Sequence, residues 1–162
     1  RPGAQARFDQ VERQLGRRRR VRRSPTRRLR LHGAGRLAPG TGMRGAHLHG
    51  RYGTDADTVA ALIADDPTLG DPLVPPLPHL RAEAVYAVRH EMASTLIDVV
   101  TRRTRCHLED REATEAAAPA IAELLAEELG WDDDETRRQL DDYRRLCDDE
   151  RRAALAASRS TP

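Results

Sequence analysis

The sequence contains no lysine. All 28 basic residues are arginine. That excludes a Walker-type phosphate loop and a Schiff-base lysine, because each needs the ammonium group. Aromatic residues make up only 3% of the chain, so a core has to be assembled from Leu, Val, Ile and Ala. Cys106 and Cys147 are the only cysteines and no CxxC occurs. Two isolated thiols of this kind are expected to be free and packed rather than bridged. No apolar run approaches the roughly 18–20 residues that span a bilayer. There is no signal-peptide pattern. The chain opens on "RPGAQARF" without a methionine and reads as the middle of a longer protein.

What is present is unevenly distributed. Residues 1–53 hold fifteen Arg against only Asp9 and Glu12, whereas the remainder holds thirteen Arg against twenty-four acids. The small net charge of +2 therefore conceals a basic part and an acidic part. The abundance of Arg and Ala fits a GC-rich codon usage, so Arg content alone argues little for nucleic-acid binding.

In the basic part, Phe8, Val11 and Leu15 fall at helical spacing in "FDQVERQLG". The run "RRRRVRRSPTRRLR" repels itself and should stay extended. The spacing assigns residues 1–44 to an Arg/Gly/Pro-rich arm or linker, 45–150 to a helical domain and 151–162 to a tail. Order should begin near Met43. Thr54 and Asp57 have capping-box spacing, Val59, Leu62 and Ile63 share one helical face, and Pro67 ends that helix. "TLGDPLVPPLPHL" carries four prolines and is expected to be an irregular connector packed through Leu73, Val74 and Leu77.

From Ala84 to Arg105 the sequence predicts one amphipathic helix. Val85, Val88, Met92, Leu96 and Val99 or Val100 form its stripe, with Arg89, His90, Glu91, Asp98 and Arg102 off it. A further helix, about Glu112 to Leu129, carries Ile121, Leu124, Leu125 and Glu128 or Leu129 on one face. Pro119 either kinks it or marks its first turn. Gly130 suits a C-cap. Asp132 and Glu135 then open a last helix with an apolar face of Leu140, Tyr143, Leu146 and Cys147. No strand pattern and no internal repeat is evident. The expected fold class is all-α, an irregular bundle of four or five helices with a disordered Arg-rich N-terminal arm.

Motifs that suggest chemistry are incomplete. "HEMAS" begins like a zinc-protease helix, but Ser94 stands where the second histidine is needed, and His90 reads as a structural histidine at a helix interface. His47 and His49 have no third ligand at metal spacing. "GAGRLA", Gly33 to Ala38, matches a dinucleotide fingerprint literally, yet "RRLRL" precedes it and Pro39 follows it, so neither strand nor helix frames it. The acidic clusters read as solvated surface. The Arg-rich residues 17–30 could attract phosphates but lack interleaved aromatics for base stacking.

Three stretches together resemble one family. "HLHGRYGTDADTVAALI", "AEAVYAVRHEMASTLIDVVTRRTR" and "AAPAIAELLAEELGWDDDETRRQLDDYRR" resemble, in order and approximate spacing, the C-terminal helical domain of FAD-dependent glycerol-3-phosphate dehydrogenases. "TRRLRLHGA", Thr26 to Ala34, is similar to the link leading into it.

The resemblance implies a parent that oxidises sn-glycerol 3-phosphate to dihydroxyacetone phosphate with FAD and passes electrons to a membrane quinone or to oxygen. The family's Gly-rich FAD loop and its "GGKLTTYR"-like segment have no counterpart in this chain. No catalytic, cofactor-binding or metal-ligating residue is therefore carried over. FAD is expected in the parent and not on this chain.

The expected partner is the parent's FAD/substrate domain. A homodimer is possible, membrane association would come only through the parent, and the implied location is cytoplasmic. On this reading Glu91, Asp98, Arg102 and Arg103 make interface and intrahelical ion pairs. The alternative is a small helical protein whose Arg-rich arm binds nucleic acid or an acidic partner.

Overall fold

The computed structural model describes residues 42–159, and these are helical with irregular connections. The expected short helix at residues 8–15, the Arg-rich run and "GAGRLA" lie outside the described residues. Six α-helices follow in order: α1 (Met43–Tyr52), α2 (Ala56–Asp65), α3 (Arg81–Glu91), α4 (Cys106–Glu109), α5 (Arg111–Leu129) and α6 (Asp133–Arg159). That is one or two more than the sequence suggested, because α1 and the four-residue α4 were not among the expected helices. Among the described residues there is no strand, only an isolated antiparallel bridge between Pro72 and Leu80.

Helix α3 is the centre of the packing. Ala82, Glu83, Ala84, Val85, Tyr86 and Ala87 are all buried, so this helix is enclosed on nearly every side. It packs on α2 and α5, and α5 in turn packs on α6. Val59 and Leu62 of α2, with Ile63 partly covered, supply the expected apolar face. Pro67 opens a 3-10 turn, Pro67–Gly70, so α2 stops at Asp65. The proline-rich connector is irregular and buries Leu73 and Val74, with Leu77 half-buried against them. Backbone bonds from Leu73 to His79 (2.8 Å) and from Arg81 to Asp71 (2.9 Å) close it.

The expected helix Ala84–Arg105 is not continuous. Helix α3 ends at Met92, which takes the left-handed conformation at φ 58° and ψ 27°. The Ala93 N–H then reaches back to the Ala87 carbonyl at 3.0 Å, the six-to-one bond that closes a Schellman C-cap. Met92 consequently turns outward and is 87% exposed, although periodicity places it in the stripe.

Helical structure resumes at Leu96 and runs into a π-helical turn, Asp98–Arg103. Thr95 starts it by accepting the Asp98 N–H on Oγ1 at 3.0 Å. The otherwise orphaned Leu96 N–H donates to the Gln139 side chain of α6 at 3.0 Å. Apolar steps of three and four continue through residue 92 and cannot register this break. The Thr95-x-x-Asp98 capping spacing was the available sign of it. Leu96, Val99 and Val100 are fully buried, as the stripe required.

The later helices follow their end signals. The Asp110 carboxylate accepts the Ala113 N–H at 2.9 Å and caps α5. Gly130, at φ 68°, closes it, with Trp131 folded back on the core. Helix α5 runs through Pro119, which is therefore not its first turn. Asp132 caps α6 by accepting the Glu135 N–H at 2.9 Å.

The Thr54–Asp57 box does not form. Asp55 takes the N-cap place of α2 without a side-chain cap bond and instead accepts the Tyr86 hydroxyl at 3.1 Å. Tyr143 and Cys147 are buried under α6, with Leu140 and Leu146 partly covered. Cys106 and Cys147 are buried free thiols. Helix α6 continues to Arg159, and residues 151–159 are exposed. No helix among the described residues is long and apolar enough to cross a membrane.

Candidate functional site

The most concentrated polar chemistry surrounds Glu83, a fully buried carboxylate in the first turn of α3. A carboxylate at this third helical position can reach back to the N-cap N–H, and Glu83 Oε1 does accept from Leu80 N at 2.8 Å. Leu80 has no side-chain acceptor to return the bond, so the remaining carboxylate capacity is filled from elsewhere. His47 Nε2 of α1 lies 2.8 Å from Oε1. Arg51 Nε, one turn further along α1, lies 3.1 Å from Oε2. The Tyr52 hydroxyl donates to Oε2 at 3.0 Å. His79 Nδ1, from the end of the connector, stands 3.6 Å from Oε2. One buried acid thus ties α1, the connector and α3 together.

The electrostatics follow from that geometry. Burial alone would raise the Glu83 pKa, but the nearby His79 imidazole and hydrogen bonds from the Leu80 N–H and His47 outweigh it and hold the carboxyl below its ordinary range. Burial works against a charged His79. The close approach of Cys106 and of the Glu83 carboxylate prevails and pushes the imidazole up to about 10. Tyr52 is raised, first by burial and then by the neighbouring Glu83 charge. Its phenol therefore stays a donor at neutral pH.

His47, His79 and Glu83 place three possible ligand atoms within 4.8 Å of one another. Both Glu83 oxygens are already engaged by donors, one of them the Arg51 guanidinium. A divalent cation would have to displace those donors and face the arginine charge. The set fits an ion-pair hub. A base so enclosed and so acidic is poorly suited to proton transfer, which needs an accessible group with a pKa near the working pH.

The sequence-derived candidates are distributed as follows. His47 joins the hub, and His49 is exposed. Neither His79 nor Glu83 was singled out from sequence, because they come from a connector and a separate helix 30 or more residues from His47. The glutamate three residues after Leu80 was the one local sign.

His90 is exposed rather than set at a helix interface, and it stacks on Tyr86 with ring centroids 4.7 Å apart. Its neighbour Arg89 makes the interhelical contact, a two-bond pair with Glu128 of α5 at 2.6 and 2.7 Å. Asp98 and Arg102 pair at 2.7 Å, as their spacing implied. Asp98 is more covered than an exposed pair would be, with 18% of its side chain accessible. Glu91 and Arg103 form no ion pair among the described residues. The acidic clusters of α6 are surface, as expected, each paired with an arginine three residues on.

The family model for the C-terminal domain of alpha-glycerophosphate oxidase matches residues 24–136. The chain belongs to this family. The glycerol-3-phosphate dehydrogenase of Synechocystis is 34% identical over 97 residues, covering 60% of this chain and 18% of that protein. The human mitochondrial glycerol-3-phosphate dehydrogenase is 37% identical over 104 residues, covering 62% and 14%. The mitochondrial enzyme of Arabidopsis thaliana is 35% identical over 115 residues, covering 70% and 18%. The chain therefore spans less than a fifth of the length of these relatives. No solved structure matches it. His47, Arg51, Glu83 and the whole π-helical turn lie inside the matched range.

Proposed function

We propose that this chain is the C-terminal helical portion of an FAD-dependent glycerol-3-phosphate dehydrogenase and serves that enzyme as a rigid structural, interdomain element. The observation that carries this reading is the family match over residues 24–136. The hub suits the role. It fixes α1, the connector and α3 in one geometry, which a domain must keep if it is to present a constant surface to a larger neighbour. The proposed partner is the flavin- and substrate-bearing domain of the parent.

The cleft beside the hub does not suit a flavin. It is lined by four arginines, Tyr52 and Glu91, a mainly charged and polar surface, whereas an isoalloxazine ring needs an extended apolar one. The chemistry of FAD and glycerol 3-phosphate is accordingly assigned to the partner domain.

The test is to purify the 162-residue chain, equilibrate it with FAD, and measure bound flavin by absorbance and dye-linked oxidation of glycerol 3-phosphate. Neither bound flavin nor activity is expected. The chain added to a separately produced flavin domain should comigrate with it in gel filtration. Near-stoichiometric flavin on the chain alone, or no association with the flavin domain, would overturn the reading.

A further inference from the structure

Next to the Glu83 hub lies a cleft of about 290 Å³, lined by Arg51, Tyr52, Glu91, Arg102, Arg103 and Arg105. Its four guanidinium groups come from two places in the fold: the last turn of α1, and the π-helical turn with the residues just after it. Two of the four are already neutralised from behind. Arg51 Nε sits on Glu83 and Arg102 Nη1 on Asp98. Arg103 and Arg105 form no ion pair with any described residue. Arg103 Nε is moreover buried and has no hydrogen-bond partner there. An unsatisfied donor on a charged group is costly in a folded protein and calls for an explanation.

The backbone adds to the case. The Thr104 N–H bonds to the Val99 carbonyl at 2.8 Å, an i to i−5 step, and such π turns occur preferentially where a site must be shaped. Arg105 follows in the left-handed conformation, at φ 63° and ψ 14°, an unfavourable state for a residue with a Cβ. Arg102 and Arg103 also complement the carbonyl end of their turn. That explains neither the unpartnered Nε nor the third arginine.

We infer that this cleft binds a tetrahedral oxyanion, a phosphate dianion or the phosphoryl group of a monoester, held chiefly by Arg103 and Arg105 with Arg51 and Arg102 behind them. Guanidinium forks match two oxygens of such an anion at once. The Tyr52 hydroxyl is engaged by Glu83 and takes no part. Glu91 is the one carboxylate in the lining and opposes the anion. The inference stands on the cleft alone and does not require the proposed parent enzyme.

The experiment is a titration of the full 162-residue chain with inorganic phosphate at constant ionic strength, followed through assigned arginine Nε–H resonances. Site resolution is essential, because fourteen arginines within residues 1–44 attract phosphate by charge alone. Saturable shifts confined to the cleft arginines are expected. Arg103→Gln and Arg105→Gln should each weaken binding by about tenfold or more, the loss of a bidentate charged donor. Glu91→Gln should tighten it several-fold. Arg144→Gln, remote on the exposed face of α6, should leave it unchanged.

Arg105 is exposed, so its variant keeps the fold, as circular dichroism will verify. Phenyl phosphate in a parallel titration separates the two sources. Tighter binding than inorganic phosphate supports a monoester ligand, and equal or weaker binding supports the free ion. Unsaturating shifts spread over all arginines, or an Arg105→Gln affinity within about twofold of the parent chain, overturn the site and leave only the diffuse attraction of a basic chain.

Discussion

Two regions of this molecule use the same carboxylate and arginine chemistry to opposite effect. Along α6, Asp134, Asp141, Asp142 and Asp148 each pair with an arginine three residues on, at 2.8 to 3.2 Å, with at least one partner well exposed to solvent. The His47 and Arg51 contacts of Glu83 are similar in length, 2.8 and 3.1 Å, but this carboxylate has no solvent access. Water screens the first set, so each pair adds little. Desolvation makes the second set interdependent, since removing one member strands the others in a low-dielectric interior. Distance alone does not rank these contacts, and burial does.

Removing Glu83 is the strongest way to break the comparison. Glu83→Ala leaves Arg51, His47 and the Leu80 N–H without their shared acceptor and is expected to destabilise the domain by about 3–5 kcal/mol in urea denaturation. A loss no larger than that at an α6 pair would show that the hub is solvated.

A comparable effect is expected inside the interrupted helix. Leu96→Ala should cost about 2–5 kcal/mol, whereas Met92→Ala, four residues earlier in the same stripe, should leave the urea midpoint almost unmoved. Since a domain of this kind holds roughly 5–15 kcal/mol in total, Leu96→Ala can remove much of its stability. Equal effects at the two positions would mean that the helix is continuous.

Titration sharpens the same contrast. The His79 pKa is raised from its ordinary 6.5 to about 10, so the stability it contributes is complete below pH 6.5 and is lost as pH rises through about 10. Glu83 has a depressed pKa, so its contribution is present above its ordinary 4.5 and is lost as pH falls through the lower folded value. Thermal melts should therefore show a plateau between those ordinary values and a decline on the alkaline side. His79→Gln should flatten the alkaline decline. A decline of unchanged steepness in that variant would assign it to other groups.

The two smallest effects separate a half-buried surface pair from an open one. Asp98 accepts from Arg102 at 2.7 Å and from Ser94 N at 3.4 Å. Burial disfavours its ionisation, but hydrogen bonds at Thr95 and Ser94 and the Arg102 charge keep its pKa low. Asp98→Ala should cost about 0.5–2 kcal/mol, the range for a lost helix-end acceptor. That exceeds what its spacing to Arg102 alone suggests. Asp141→Ala on α6 should cost less than about 0.5 kcal/mol. Reversal of this order in paired urea melts would show that the α6 pairs stabilise the domain more than Asp98 does.

The sequence by itself determined the helical class, the buried stripes of α2, α5 and α6, and the ends marked by Pro67, Gly130 and Asp132. Each is a local consequence of side-chain periodicity or of a terminal hydrogen bond. It also carried the family resemblance, because the motifs are contiguous.

Tertiary structure decided the break at Met92 and the hub. The break depends on Gln139, 43 residues away, meeting the Leu96 N–H. That contact offsets the cost of a left-handed methionine and leaves no trace in the spacing of apolar residues. The hub depends on a histidine and an arginine of α1 and a histidine of the connector converging on one glutamate of α3. Composition and motif spacing cannot report such convergence. It exists only once the chain has folded and water has been excluded around the carboxylate, and that exclusion turns ordinary surface residue types into mutually dependent partners.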